Sequence, residues 1–384
     1  IESVEHISGR KNTLRRLFNI VQTQRWEQNK KRRGIRRLTA GAGQLPNPIK
    51  YKIDNIEYTA THELEKGMGG EVLKGTNVLG QEVVLKIAKK ETTQIHSFRK
   101  EKEIYLYLKQ MKEKHKNILT IKQIHEDDKY GYLVFPYMKG GDALDMMIEQ
   151  NLYKCRLRMF YQIVDAMAFA HANNIAHLDI KMENILLDEQ NNAIVCDWGL
   201  SKIFTSNDDS ISTTQGTMQY LCPEIIFQSM AKNSTKSENR QKPFAPLLQK
   251  VCQEYLTNKG NSNYSAKKAD VWALGVLFCH LIFNSPVFHD WWTQDRNNPL
   301  ALQANWKFTT LFLFTQDPKK EKFLQEMEKK YPNQAPKPFH SFEPEIQDLC
   351  REIIRSTMQF TENDRITVAD LLKKLDPLKK VLFD

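Results

Sequence analysis

The stretch His177-Leu178-Asp179-Ile180-Lys181-Met182-Glu183-Asn184 carries a carboxylate, a lysine and a carboxamide. Asp197-Trp198-Gly199 brings a second carboxylate thirteen residues after Asn184, a hairpin away. No other feature constrains the fold as much, because a loop and a hairpin must fold back to bring these groups to one place. Their chemistry is specific. A carboxylate can accept the proton of an attacking hydroxyl, and a lysine can neutralise charge on a phosphate. An asparagine and an aspartate supply the hard oxygen ligands that magnesium prefers.

The chain has 384 residues, enough for two lobes with sizeable cores. Hydrophobic content of 41% and charged content of 27% fit a globular protein and exclude a disordered one. No apolar run approaches the roughly 18 residues of a membrane helix, so no span is expected. The net charge of +10 is unevenly placed: residues 1–50 hold 12 Lys and Arg against 3 Asp and Glu, and the other 334 residues hold 44 against 43. The basic character therefore belongs to an N-terminal arm. Six cysteines at 155, 196, 222, 252, 279 and 350 form no C-x-x-C pair, so reduced thiols and a cytoplasmic setting are expected.

Residues 1–57 read as the basic arm and a linker. Leu14, Leu17, Phe18 and Val21 recur at helical spacing, Lys30 to Arg37 is a basic run, and Gly41, Gly43, Pro46 and Pro48 punctuate the linker. Such an arm can bind an anionic lipid, an acidic protein surface, calmodulin or nucleic acid. It can equally be a solvated tail, and only its charge argues for nucleic acid. From Tyr58 to Met138 the pattern is mostly strand, with a charged helix at 95–114 and strand candidates at 118–125 and 131–137. From residue 139 to 384 it is mainly helical, with helices at 152–174 and 270–283. Two polar or mixed stretches, 228–263 and 289–340, read as insertions. The fold class expected is α+β, a small β-rich lobe followed by a larger helical one.

Further motifs join the first. Gly67, Gly69 and Gly70 precede Val72, and Lys86 closes the run Val83-Val84-Leu85. Leu133-Val134-Phe135-Pro136-Tyr137-Met138 leads into Gly140-Gly141-Asp142. Gly216-Thr217-Met218-Gln219-Tyr220-Leu221-Cys222-Pro223-Glu224, Asp270-Val271-Trp272 and Asp364-Arg365 follow. Together these resemble the eukaryotic protein kinase superfamily, Ser/Thr type, over about residues 58–378, with a faint similarity to the calcium/calmodulin-dependent group.

The resemblance implies a bilobal fold with ATP and Mg2+ in the cleft and a protein substrate. It makes Asp179 the catalytic base and places Lys181 against the γ-phosphate. Asn184 and Asp197 become metal ligands. Lys86 becomes the lysine of the α- and β-phosphates, paired with Glu103, or with Glu101 as the alternative. Gly67, Gly70, Val72, Val84, Phe135, Pro136, Met138, Asp142 and Leu186 become nucleotide contacts, with Phe135 as gatekeeper and Asp142 a ribose acceptor. Proline at 136 lacks an N–H but keeps its carbonyl, so Met138 would supply the donor to adenine. Lys181 and Thr217 favour Ser/Thr hydroxyls. Asp270 is expected to hold the catalytic loop, and Glu224 to pair with Arg365.

Four positions depart from the family pattern. Leu178 replaces an arginine that reads regulatory phosphate, and Trp198 replaces a phenylalanine. Val84 replaces an alanine above adenine, and Glu65 replaces the first glycine of the loop. No catalytic functional group is lost. The competing expectation is a catalytically weak kinase-fold scaffold that acts through its arm and insertions.

Overall fold

The computed structural model describes residues 43–67, 69–144, 153–206, 208–217, 220–225, 263–283, 344–359 and 361–383. Most of the arm and of both expected insertions lie outside these residues.

Six strands form an antiparallel sheet: β1 (Gly43–Ile53), β2 (Ile56–Gly67), β3 (Gly70–Asn77), β4 (Glu82–Lys89), β5 (Gln123–Glu126) and β6 (Tyr130–Pro136), in the order β1-β2-β3-β4-β6-β5. Alternation sorts the side chains onto two faces. Val83, Leu85 and Ile87 join Leu73, Tyr132 and Val134 on one face. Leu133 and Phe135 face the other way, toward helix α1 (Gln94–Gln110), whose Ile95, Phe98, Ile104 and Tyr105 are buried.

Strand β1 corrects the expected linker. Residues 43–53 pair with β2 in register from Gly43↔Glu63 to Ile53↔Ile56, so this stretch, expected as linker ahead of Tyr58, is part of the small-lobe sheet. The prolines that suggested a linker fall where the register shifts, between Gln44 and Ile49. An edge strand tolerates proline there because one side of its ladder has no partner. The strand expected at 118–125 is shorter than its apolar pattern: only 123–126 pair in the sheet, while Ile118 makes an isolated parallel bridge to Val195. That bridge ties the lobes together. Leu119 N–H donates to Val195 O at 2.9 Å, and Val195 N–H donates to Asn117 O at 2.8 Å.

Beyond Pro136 come β7 (Gly141–Asp142) and helix α2 (Tyr153–Ala172). The pairs β8 (Ile175–Ala176) with β11 (Lys202–Ile203) and β9 (Ile185–Leu187) with β10 (Ala193–Val195) follow. β7 adds to β9, so Asp142 lies opposite Leu186. β12 (Ser210–Ile211) pairs with β13 (Tyr264–Ser265), which leads into α3 (Ala266–Phe283). Helices α4 (Pro344–Thr357) and α5 (Val368–Phe383) complete the described large lobe.

Helix α3 is apolar on every side and central, as such a composition requires. Val271 through Leu274 and Val276 through Ile282 are all buried. Gly275 lets α4 come close: a Cβ there would lie 2.4 Å from Thr357 Oγ1. α5 packs on α2, where Tyr161 Oη donates to Asp376 Oδ1 at 3.1 Å. Among the described residues no helix is long and apolar enough to cross a membrane.

Candidate active site

The loop that begins at His177 takes its shape from α3. Asp270, fully buried just past the first turn of that helix, accepts the N–H of His177 and the N–H of Leu178, each at 2.7 Å, one on each oxygen. Its Oδ2 also meets His171 Nε2 at 2.9 Å. Leu178 adopts φ of 66°, a left-handed conformation costly for a leucine, and the paired amides hold it there. His177 is fully buried. Its Nδ1 accepts the N–H of Asp179 at 3.2 Å, so Nε2 carries the proton and donates to Cys196 O at 3.0 Å.

Asp179 is thereby fixed at the cleft with both oxygens engaged. Oδ1 accepts Thr217 Oγ1–H at 2.7 Å and Thr217 N–H at 3.0 Å. Oδ2 accepts Lys181 Nζ at 2.8 Å and Asn184 Nδ2 at 3.1 Å. Lys181 Nζ also reaches Thr217 Oγ1 at 3.1 Å. Burial opposes the charge on Lys181, but Asp179 more than offsets it and raises the lysine pKa.

Asn184 gives its second amide hydrogen to Asp179 O at 2.8 Å, so Oδ1 carries no hydrogen bond among the described residues. The backbone aligns Asn184 with the next carboxylate, because Cys196 N–H donates to Asn184 O at 3.0 Å. Asp197 follows, left-handed at φ of 59°, with its side chain 44% exposed. Lys86 lowers the Asp197 pKa, and burial works against that shift. A free amide oxygen and an accessible carboxylate fit magnesium, which takes one or two protein oxygens and completes its shell with water and phosphate.

Lys86 is the third anchor, and here one expectation is corrected. Its Nζ donates to Glu101 Oε2 at 2.6 Å and to Asp197 Oδ1 at 3.3 Å. Glu103 is exposed on the far side of α1. Glu101 lies on the buried stripe with Phe98 and Tyr105, spaced three and four residues apart, and helical phase excludes Glu103 from it. Burial disfavours the ammonium, yet Asp197 and Glu101 together raise the Lys86 pKa and keep it charged.

Glycines set the clearances. Gly70 has φ of 123°, and a Cβ would lie 2.3 Å from Ile87 O, so only glycine closes the β2–β3 turn. Gly67 faces it across the turn, and the Gly69 Cβ position lies 3.8 Å from Lys86 Cε. The turn therefore sits over the lysine. Glu65 is exposed, across from Val72. Val72 pairs with Lys86 and Val84 with Phe135; both valines are half-buried. Phe135 packs on Tyr105 with ring centroids 5.1 Å apart. Pro136 ends β6, and the Met138 N–H makes no hydrogen bond among the described residues. Asp142 and Leu186 are buried beside each other.

Trp198 is fully buried against His177, with ring centroids 4.6 Å apart, and its indole N–H has no hydrogen-bond partner among the described residues. A separate cavity of about 320 Å³ is lined by Lys114, His115, Ile118, Leu119, Met138 and Ile194. None of Lys86, Asp179, Asn184 or Asp197 lines it, so it is distinct from the catalytic cluster.

Two contributors were assigned no role from the sequence. Tyr220 Oη accepts Met182 N–H at 3.3 Å and meets His280 Nδ1 at 2.8 Å, joining the catalytic loop, the following segment and α3. Asn117 Nδ2 donates to Ala193 O at 2.7 Å and steadies the β9–β10 hairpin.

A family model described as the protein kinase domain matches residues 58–239. The matched segment holds Lys86, Asp179, Asn184 and Asp197, so the likeness to a protein kinase domain and the site geometry fall on the same residues. Strand β1 lies before the segment that the kinase model matches, and α3 to α5 lie after it. Curated kinases with similar sequence include the fatty acyl-CoA synthetase and RNA processing-associated kinase 1 of Saccharomyces cerevisiae, 26% identical over 225 residues. The probable serine/threonine-protein kinase fhkC of Dictyostelium discoideum is 29% identical over 221 residues. The CBL-interacting protein kinase 28 of Oryza sativa subsp. japonica is 28% identical over 241 residues. These alignments cover 57, 56 and 61% of this chain, and only 21, 32 and 47% of the relatives. The chain thus matches less than half the length of each.

Proposed function

We propose that this kinase domain transfers the terminal phosphoryl group of ATP to Ser and Thr hydroxyls of protein substrates. The observation that carries the reading is the Asp179 carboxylate, held by Lys181 and Asn184 while it accepts the hydroxyl of Thr217 at 2.7 Å. A short alkyl hydroxyl already sits where a carboxylate can take a proton and a lysine can offset charge. A substrate serine or threonine presents the same group. A tyrosine would bring its oxygen on a longer, rigid ring.

The chain's own residues supply the rest. Asp179 orients the attacking hydroxyl and accepts its proton. Lys181 balances charge on the phosphoryl group as it moves. Lys86, kept cationic by Glu101 and Asp197, holds the phosphates that remain. Asn184 Oδ1 and the Asp197 carboxylate would hold magnesium, which neutralises phosphate oxygens when bound. Met138 N–H and the Pro136 carbonyl would take the adenine edge, under Val72 and Val84.

The decisive measurement is ATP-dependent phosphorylation of generic Ser, Thr and Tyr peptides by the wild type and by Asp197→Ala. Incorporation on Ser and Thr that disappears in the variant supports the reading. Equal incorporation in both proteins would leave the domain a scaffold, and preference for Tyr would overturn the assigned specificity.

A further inference from the structure

Helix α3 carries a second docking device, at its N-terminus. Asp209 approaches that helix from 57 residues upstream. Its Oδ2 accepts the Ser265 hydroxyl and the Lys267 N–H, each at 2.7 Å, and its backbone carbonyl accepts the Ala266 N–H at 3.0 Å. Ser265 Oγ accepts the Lys268 N–H at 3.1 Å. The first four N–H groups of a helix have no partner within it, and Asp209 satisfies two of them. An N-cap normally comes from the residue before the helix; here it comes largely from another part of the chain. The carboxylate also sits at the positive end of the helix dipole.

The segment after Asp209 is pinned along its length. Ser210 and Ile211 pair with Ser265 and Tyr264, and Tyr264 Oη donates to Thr213 O at 2.6 Å. Gln215 Nε2 donates to Leu200 O at 2.8 Å, and Thr217 reaches Asp179. Each of these contacts uses a backbone group, an amide or a carboxylate. The hydroxyls of Ser210, Ser212, Thr213 and Thr214 are exposed, and the contact to one of them is Lys202 Nζ to Thr213 Oγ1 at 3.4 Å. Leu178, beneath Gly216, is apolar and brings no cation to the segment.

We propose that Asp209 is a positioning residue: by capping α3 it sets segment 209–217 over the catalytic loop without any phosphate on that segment. Asp270, just past the first turn of the same helix, holds the loop at His177 and Leu178. One helix end therefore places both walls of the site where substrate hydroxyls would enter. The kinetic part of this inference rests on the phosphoryl-transfer reading; the structural part does not.

The test uses the full chain after phosphatase treatment, with hydrogen exchange over 208–217 and separate KM values for peptide and ATP. Losing a helix cap should raise peptide KM about tenfold in Asp209→Ala and speed exchange in the segment. The KM for ATP should stay within about twofold, because Lys86 and Asp197 are untouched. Asp209→Asn can place its amide oxygen where Oδ2 accepts both donors, so it should remain within about threefold of wild type. Ser265→Ala, which removes one donor and keeps Asp209, should give an intermediate change in exchange.

Wild-type exchange in both Asp209→Ala and Ser265→Ala would overturn the proposal. So would faster exchange in the wild type on phosphatase treatment alone, or an Asp209→Asn variant as impaired as Asp209→Ala. A wild type with no turnover would sink the phosphoryl-transfer reading instead, and the exchange data would still decide on Asp209.

Discussion

Arg365 Nη2 donates to both oxygens of Glu224, at 2.6 and 2.8 Å, across 141 residues of chain. Both side chains are almost completely buried, and the guanidinium is engaged further by Gln359 O at 2.7 Å and by the Trp272 ring at 5.1 Å. The pair staples the end of the substrate-side segment to the approach of α5. Removing one partner leaves an uncompensated buried charge. Arg365→Ala or Glu224→Ala should each cost roughly 3–5 kcal/mol. The check is chemical denaturation, and a loss below 1 kcal/mol in both variants would show that water reaches the site.

Glu101 and Glu103 differ by two residues and should differ sharply in consequence. Glu101→Gln weakens the grip on Lys86 and should reduce turnover on the order of a hundredfold. Glu103→Gln alters an exposed side chain and should leave turnover unchanged. Steady-state kinetics on the two variants decide it; equal effects would mean that the Lys86–Glu101 contact plays no part in catalysis.

The lowered pKa of Asp197 makes a prediction about acid. A carboxyl depressed in the folded state adds stability that is fully present above its ordinary value of 3.8 and is lost as pH falls through the folded value. Lys86 is the largest cause of the depression. In Lys86→Met the Asp197 carboxyl should therefore titrate at higher pH than in the wild type. Carbon NMR of labelled aspartate would read both transitions, and coincident titrations would contradict the assignment.

Trp198 buries an indole N–H that has no partner among the described residues, a defect worth about 1–3 kcal/mol. Trp198→Phe removes that N–H along with part of the ring. The two effects oppose each other, so the net change in stability should stay within about 1.5 kcal/mol, well short of the 3–5 typical of emptying a buried aromatic site. Urea titration measures it, and a loss above 3 kcal/mol would point to a satisfied indole.

The exposed hydroxyls at 210, 212, 213 and 214 should be dispensable. Ser210, Ser212, Thr213 and Thr214 replaced together by alanine keep every backbone contact of the segment. Most activity should survive, and a hundredfold loss of rate or more would mean that phosphate orders the segment after all.

Chemistry at fixed spacing was legible in the sequence, and it reached beyond the loop. Asp270 does hold the loop backbone, and Glu224 does meet Arg365. These residues announce themselves because few side chains can do what their positions demand. The Lys86 partner was within reach too: counting threes and fours from Phe98 to Tyr105 selects Glu101, whereas the start of the apolar half suggested Glu103. Strand β1 was hidden by Pro46 and Pro48, since proline signals a linker unless the strand is known to be an edge. Tyr220, His280 and Asp209 could not be read locally. Their partners lie 38 to 60 residues away, and nothing near them in the chain marks the pairing.

The fully buried carboxylate of Asp270 has a consequence for how such a domain can vary. Two consecutive amides of the catalytic loop take their coordinates from one oxygen pair inside the molecule, and not from the stiffness of the loop. The reacting groups thus inherit their geometry from the interior. Loops at the periphery can lengthen, shorten or change charge while the registration of Asp179 is kept, provided the anchoring end of α3 is left alone.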